Sequence, residues 1–157
     1  MFVPIIMGSK KDMVHGEAIA SALETFGISS EIRIASAHKA VLYLLDILAV
    51  YEADPRPKVY VTIAGRANAL SAVVDTNVQA PVIACPPYSD KFGGGDVYSS
   101  LRSPSGVAPV VILEPGGTAL AAAKMLSLAH PEMRAQIRTH QEANTARIKA
   151  DDKELRS

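Results

Sequence analysis

The segment Ser36-Ala37-His38-Lys39 places an imidazole among small residues and next to a cation. Imidazole is the side chain whose ordinary pKa, about 6.5, lies nearest to working pH, so it suits proton transfer. A lone histidine is more often structural than catalytic. His38, however, directly follows a short apolar run that has the pattern of a strand, and strand ends are where α/β proteins bind ligands. The segment therefore predicts that His38 is a general acid or base.

A second segment, Gly8-Ser9-Lys10-Lys11-Asp12, suits a phosphorylated sugar. Gly8 lets the backbone approach a ligand closely, and the start of the helix expected after this loop offers free N–H groups to an anion. Ser9 can donate a hydrogen bond, Lys11 can pair with phosphate, and Asp12 can accept from ribose hydroxyls. The competing interpretation is that Ser9 or Asp12 only caps the helix. The spacing matches neither a Walker motif nor a dinucleotide-binding fingerprint.

Short runs rich in Val and Ile alternate along the chain with longer stretches of helical spacing. Runs of this length, bounded by Gly, Pro or Ser, are typical of strands that are buried on both faces. The predicted strands are residues 2–7, 31–34, 59–63, 82–85 and 110–113. Parallel strands need crossover connections, so this alternation predicts a parallel sheet with helices on both faces. Five strands in a chain of this size favour the flavodoxin-like order 2-1-3-4-5.

The intervening stretches predict the helices of this sheet. In the first stretch Ile19, Leu23 and Phe26 recur at three to four residues, and Gly27 marks the expected end of the helix. The other helices are predicted at about residues 41–51, 68–75, 118–128 and 132–149. The last of them is polar with a thin apolar stripe, so it is expected to pack on a neighbouring subunit rather than on its own sheet.

The predicted topology brings three loops to one crevice. In an open α/β sheet, ligands bind beyond the carboxyl ends of the strands, where the connections diverge to opposite faces. With the order 2-1-3-4-5 that crevice lies between the first and third strands. The loop Ala64-Gly65-Arg66-Ala67-Asn68 follows the third strand, so it is expected to meet the loops of Gly8 and His38.

The remaining histidines and the cysteine have simpler explanations. His15, His130 and His140 lie on or near predicted helices without ligand spacing, so they are interpreted as surface residues, and no metal site is predicted. Cys85 is the only cysteine and follows an apolar run. A buried, inert thiol is therefore favoured over a nucleophile.

Two further segments keep their alternatives at this stage. Gly93-Gly94-Gly95 indicates either a mobile lid or a loose turn. The polar run Ser99-Ser100-Leu101-Arg102, followed by Pro104-Ser105-Gly106, offers hydrogen-bond donors whose roles the spacing does not assign.

Length and composition favour a single domain that handles small molecules. The chain has 157 residues, of which 48% are hydrophobic and 20% charged, which excludes a disordered chain. Basic and acidic residues number 16 each. A duplex-binding protein usually carries a basic excess, so no nucleic-acid partner is predicted. The apolar start is far shorter than the roughly 20 residues that span a membrane and lacks a basic leader, so neither an anchor nor a signal peptide is expected. A single thiol suits the reducing cytoplasm.

Together these motifs resemble the aminoimidazole ribonucleotide (AIR) carboxylase family, in order from about residue 3 to 128. The matching strings are Met7-Gly8-Ser9 with Asp12, Ser36-Ala37-His38-Lys39, Ala64-Gly65-Arg66 with Asn68, Cys85-Pro86-Pro87, and residues 96–102 with Pro104-Ser105-Gly106. The resemblance implies a three-layer α/β/α sandwich that uses neither metal nor organic cofactor. It also implies that residues 1–157 form a single domain that assembles as a homo-octamer, or a tetramer, with sites shared between subunits. In that assembly a helix at about residues 131–150 packs on a neighbouring subunit.

The resemblance also implies the reaction, the reversible carboxylation of AIR to 4-carboxy-AIR (CAIR) in purine biosynthesis. Lys39 after His38 and the loop from Gly65 to Asn68 resemble the branch that uses CO2 directly, which includes the carboxylase half of the animal bifunctional enzyme. Two positions depart from the family pattern. Lys11 replaces a Ser, giving a stronger but longer phosphate partner. Ala67 replaces a Ser near the expected CO2 site, which leaves Lys39 and backbone N–H groups to hold the new carboxylate.

By this resemblance the catalytic residues are His38 and Lys39. The candidate substrate-binding residues are Gly8, Ser9, Lys11, Asp12, Ser36, Ala64, Gly65, Arg66 and Asn68. The nearest alternative is the mutase reaction of the family's other branch, which takes CO2 from N5-carboxyaminoimidazole ribonucleotide. A more distant alternative is a non-catalytic flavodoxin-like nucleotide-binding module. It is disfavoured because there is no Trp and there are few aromatic residues near the crevice.

Overall fold

The computed structural model describes residues 1–156, and within them the strands form one parallel five-stranded sheet. Its strands are β1 Phe2–Met7, β2 Ser29–Ile34, β3 Tyr60–Ile63, β4 Val82–Ala84 and β5 Val110–Val111. The strand order is β2-β1-β3-β4-β5, and every pairing is parallel. The predicted flavodoxin-like order is therefore confirmed.

Helices cover both faces of the sheet and give the three predicted layers. They are α1 Met13–Glu24, α2 Val41–Glu52, α3 Ala69–Asp75, α4 Tyr98–Leu101, α5 Pro115–Leu126 and α6 Met133–Glu154. Two 3-10 turns, Lys10–Asp12 and Lys91–Val97, precede α1 and α4. The buried side chains of α1, α5 and α6 share one core cluster, whereas those of α2 and α3 share another.

Strand β1 shows how the sequence separates these two clusters. All six of its residues are buried, as expected for a central strand covered on both faces. Ile5 and Met7 belong to the cluster under α1 and α5, and Phe2 and Ile6 to the cluster under α2 and α3. Successive side chains of a strand point to opposite faces, so one continuous apolar run serves both cores.

The structure moves several predicted boundaries. Strand β2 begins at Ser29 rather than at residue 31, because Ser29 and Ser30 pair through their backbones with β1 although their side chains are not apolar. Strand β5 contains only Val110 and Val111 instead of residues 110–113. Helix α5 begins at Pro115, a residue well suited to the first helical position, rather than near residue 118. Helix α1 ends as predicted before Gly27, whose φ is +66°.

Helix α6 is attached to the domain by its first turns only. Met133 and Ile137 are buried in the cluster under α1 and α5, and α6 packs beside α5. From residue 141 to residue 154 every position is exposed, and Ile148 has 60% of its surface accessible. In residues 1–156 no helix has both the length and the apolar character needed to cross a membrane.

Candidate active site

A cavity of about 490 Å³ lies where the loops after β1, β2 and β3 meet. Its walls contain every predicted site residue except Asn68. Ala37, Ala67 and Leu70 complete the lining. Residues separated by more than 50 positions in the chain are thus brought to one crevice, at the sheet edge where the parallel topology predicts a ligand.

In the first loop the Ser9 side chain caps the backbone, whereas the Asp12 side chain does not. Gly8 N donates to Ile63 O at 2.9 Å, which ties this loop to β3. The Ser9 hydroxyl oxygen accepts from Lys11 N at 3.2 Å and caps the 3-10 turn. Asp12 stands at the start of α1 but makes no capping bond with its side chain. Its carboxylate therefore remains available to a ligand, and burial raises its pKa despite the opposing effect of His15.

The second loop presents His38 and Lys39 on a tight turn. Ala35 N donates to Met7 O at 2.9 Å, so the backbone stays on the sheet up to this point. The Ser36 carbonyl then accepts from Ala40 N at 2.9 Å and from Lys39 N at 3.3 Å. The turn holds the backbone around His38 while leaving both side chains exposed to the cavity.

Cationic side chains outnumber carboxylates in the cavity wall. Lys11, Lys39 and Arg66 line it, and Asp12 is the one carboxylate among its lining residues. An excess of positive charge attracts anionic ligands and stabilises negative charge that develops during a reaction. The arrangement suits an anionic substrate beside a proton-transfer group.

Asn68 faces away from the cavity and into the protein. The residue is 8% exposed. Its Oδ1 accepts from Ser71 N at 3.2 Å and from Ser71 Oγ at 2.9 Å, while Nδ2 donates to Ser100 Oγ at 2.9 Å. Asn68 thereby caps α3. In this structure the Asn68 amide therefore holds the loop after β3 to α3 and α4.

Ser99 and Ser100, which the spacing left unassigned, contact the third loop. The Ser99 hydroxyl donates to Arg66 O and accepts from Asn68 N at 3.0 Å. Sequence reasoning missed this pair because the third-loop residues that each contacts, Arg66 and Asn68, lie more than 30 positions away. The available indication was the polar run itself, which offered hydroxyl groups without assigning them partners.

The interpretation of His15 as a surface residue is wrong. His15 is half-buried on the first turn of α1, and its Nε2 lies 3.2 Å from Cys85 Sγ. Burial lowers the pKa of His15, although the Cys85 backbone and the carboxylates of Asp12 and Glu114 partly oppose that shift. Cys85 is fully buried as predicted, and burial raises the pKa of its thiol. This contact joins residues 70 positions apart, so no local sequence pattern indicates it.

The other two histidines are also less free than predicted. His130 Nδ1 lies 3.0 Å from Glu132 Oε1, and the His140 ring packs 5.1 Å from the Phe26 ring. Both are only partly exposed. Across residues 1–156, no three His, Cys, Asp or Glu side chains are grouped as metal ligands.

The glycine-rich segment forms a structured turn beside a second cavity. Phe92, Gly93 and Gly94 all have φ between +55° and +75°, inside the 3-10 turn that precedes α4. The second cavity, of about 170 Å³, lies between this turn and Pro86-Pro87 and shares Gly65 with the larger one. A Cβ atom on Gly65 would lie 3.1 Å from Pro87 Cγ, so this position has little room for a side chain.

Comparison with known proteins identifies close relatives over nearly the whole chain. The sequence profile of AIR carboxylase matches residues 2–147. A phosphoribosylaminoimidazole carboxylase from Treponema denticola is 51% identical over 98% of this chain and 97% of its own length. A protein of the same name from Archaeoglobus fulgidus is 51% identical over 97% of this chain and 83% of its own. The match to the family profile reaches into α6, beyond residue 128, where the resemblance found in the sequence motifs ends.

The likeness extends to animal proteins and to a solved structure. The human bifunctional phosphoribosylaminoimidazole carboxylase/succinocarboxamide synthetase is 40% identical over 98% of this chain, which spans 36% of that longer protein. A crystal structure of Treponema denticola PurE superposes with a TM-score of 0.97 at 51% identity and covers 99% of both chains.

Proposed function

This chain belongs to the AIR carboxylase family, whose carboxy-lyase activity serves purine biosynthesis, and on that basis we propose that it carboxylates AIR directly with CO2, without ATP. The observation that carries the proposal is the 490 Å³ cavity, large enough for a nucleotide, in which His38 and Lys39 lie beside the cations Lys11 and Arg66. Because C4 of AIR is an enamine-like nucleophile, the reaction needs no metal or organic cofactor. We further propose a cytoplasmic location, since the lone Cys85 thiol suits a reducing compartment.

The nucleotide is proposed to bind along the first loop. Lys11 and the N–H groups before α1 hold the phosphate, with Ser9 beside them. Asp12, whose carboxylate makes no capping bond, accepts from the ribose hydroxyls. Ser36, Ala64 and Gly65 are small, so the aminoimidazole ring of AIR can approach the cavity wall near His38 and Arg66. Binding supplies the orientation that a reaction between two small molecules otherwise lacks.

The reaction then requires one new carbon–carbon bond, between C4 and CO2, and the transfer of one proton from C4. The C4 electron pair attacks the carbon of CO2, and the displaced π pair becomes a carboxylate charge that Lys39 and backbone N–H groups stabilise. The ring now carries an extra proton on C4. His38 removes that proton, which restores aromaticity and gives CAIR. In the reverse direction His38 protonates C4, the C4–carboxylate bond breaks, and CO2 leaves.

The mutase reaction of the family's other branch is the second candidate, because it would need the same kinds of group, a nucleotide-binding pocket and a proton-transfer side chain. Direct use of CO2 is supported by Lys39 after His38 and by the loop Gly65-Arg66-Ala67-Asn68. It is also supported by 51% identity to two proteins named as carboxylases and 40% identity to the carboxylase-containing human enzyme. We therefore favour the carboxylase.

An assay with both nucleotides separates the two branches. The purified protein is expected to convert AIR plus bicarbonate-derived CO2 into CAIR without ATP, whereas N5-carboxyaminoimidazole ribonucleotide should be a poor substrate. CAIR is followed by its ultraviolet absorbance, and carbonic anhydrase is added so that CO2 supply never limits the rate. Efficient turnover of the carbamate nucleotide with none from AIR would assign the chain to the mutase branch instead.

We also propose that the protein assembles, most simply as a homo-octamer with its sites near subunit contacts. Large apolar side chains stand exposed on the segments around the two cavities: Leu42 is 74% exposed, Tyr88 91% and Phe92 89%. The second half of α6 extends without burying any residue on its own domain. Exposed apolar surface of this kind usually marks an interface, so both features are expected to contact neighbouring subunits.

Light scattering at micromolar concentration is expected to return a mass close to eight chains. A stable monomer would contradict the assembly proposal, and a tetramer or dimer would correct its count while leaving the reaction untouched. Deletion of residues 141–157 is expected to reduce the mass, because it removes the part of α6 that the single chain leaves uncovered.

A further inference from the structure

We propose that Ser99 is a positioning residue of this enzyme, whose hydroxyl fixes the backbone of residues 65–68 and so sets the cavity wall at the reacting end. The inference rests on the proposed function. Ser99 itself does not line the larger cavity, whereas Gly65, Arg66 and Ala67 do. It therefore acts through this loop and not by touching substrate.

One oxygen atom holds both sides of the loop. Ser99 Oγ donates to Arg66 O and accepts from Asn68 N at 3.0 Å, so a carbonyl and an N–H two residues apart are fixed to the same hydroxyl. Asp96 O lies 2.8 Å from Ser99 Oγ and competes for the same proton. The loop is thereby tied to the segment that also forms the wall of the second cavity.

A chain of buried hydrogen bonds supplies the rigid base for this contact. Thr62 Oγ1 lies 2.8 Å from Ser71 Oγ, and Ser71 Oγ donates to Asn68 Oδ1 at 2.9 Å. Because Ser71 N also donates to Oδ1, the amide orientation of Asn68 is fixed, and Nδ2 must face Ser100. Thr62, Ser71 and Ser100 are all buried. Strand β3 is thus linked through α3 to α4, and Ser99 extends the link to Arg66.

The position of this contact predicts which kinetic constant it governs. The proposed phosphate and ribose partners, Ser9, Lys11 and Asp12, lie on a different loop, so releasing residues 65–68 leaves nucleotide binding largely intact. The wall beside C4 and CO2 is what moves. A displacement of about 1 Å at a reacting centre can lower a rate by about 100-fold. Loss of the Ser99 hydroxyl is therefore expected to lower kcat and to leave KM for AIR nearly unchanged.

The test compares Ser99→Ala with Ser99→Thr and Ser103→Ala. Ser99→Ala is expected to lower kcat by about 10- to 100-fold while KM for AIR changes by less than about 3-fold. Ser99→Thr keeps the hydroxyl and should recover most of kcat. Ser103 is an exposed serine of the same segment, so Ser103→Ala controls for the loss of a hydroxyl there. Thermal melts report whether each variant folds.

Amide hydrogen exchange measures the contact itself without any substrate. The Asn68 amide should exchange slowly in the wild type and in Ser99→Thr, and at least about 10-fold faster in Ser99→Ala. Unchanged exchange, or faster exchange with unchanged kcat, would overturn the positioning role. A wild-type protein inactive on AIR would refute the proposed function alone, because the exchange result still decides whether Ser99 holds the loop.

Discussion

Replacement of His38 by Asn is expected to slow AIR carboxylation by about 100- to 10,000-fold, the usual contribution of one general acid–base group. Asn keeps a hydrogen-bonding group of similar reach but cannot accept a proton near neutral pH. The turn that carries His38 is held by backbone bonds to Ser36 O and not by the imidazole. The variant should therefore fold and still bind AIR through Ser9, Lys11 and Asp12.

Isotope incorporation makes this test sharper than turnover alone. Decarboxylation of CAIR in deuterated water should give AIR labelled at C4, and His38→Asn should form this labelled product more slowly by the same factor. His140→Asn is the matched control, since His140 packs on Phe26, beyond the C-terminal end of α1, and does not line the cavity. Near-normal carboxylation by His38→Asn would make His38 structural and would move the acid–base role to another residue.

The sequence predicts the architecture well because the fold depends on periodicity. Strand β1 is apolar at every position, which a strand covered on both faces requires, and Gly27 ends α1 in a conformation that favours glycine. The alternation of such runs with helical stretches then implies crossover connections and a parallel order. The bounds of the edge strands were harder to predict from the sequence. The start of β2 depends on backbone pairing of Ser29 and Ser30 with β1, and the polar side chains of these two residues do not indicate that pairing.

For the candidate site, too, some features could be predicted from the sequence and others could not. Its three loops were predictable because the carboxyl ends of parallel strands converge at one crevice. The contacts behind those loops were not, because they join residues remote in sequence. Asn68 belonged to a motif that suggested substrate contact, yet its amide is bound by Ser71 and Ser100. His15 looked like an exposed helix residue, yet it meets Cys85, 70 positions later.

Lys39→Met is expected to lower kcat by about 100-fold, within the range measured when one donor to a developing oxyanion is removed from an enzyme. CO2 is neutral when it binds, and its oxygen atoms gain charge only as the bond to C4 forms. A cation that acts on this charge stabilises the transition state more than the bound substrates, so KM for AIR should change little. By microscopic reversibility, decarboxylation of CAIR should slow as well.

The matched variants separate this role from phosphate binding. Lys39→Arg keeps a cation on the same turn and should retain more activity than Lys39→Met. Lys124, on the exposed face of α5, lies outside the cavity, so Lys124→Met controls for the loss of a surface charge. Lys11→Met is expected to show the opposite kinetic pattern, with a raised KM for AIR, because Lys11 is proposed to pair with the phosphate. If Lys39→Met instead raised KM and left kcat unchanged, Lys39 would belong to the nucleotide-binding wall, and backbone N–H groups would have to stabilise the new carboxylate alone.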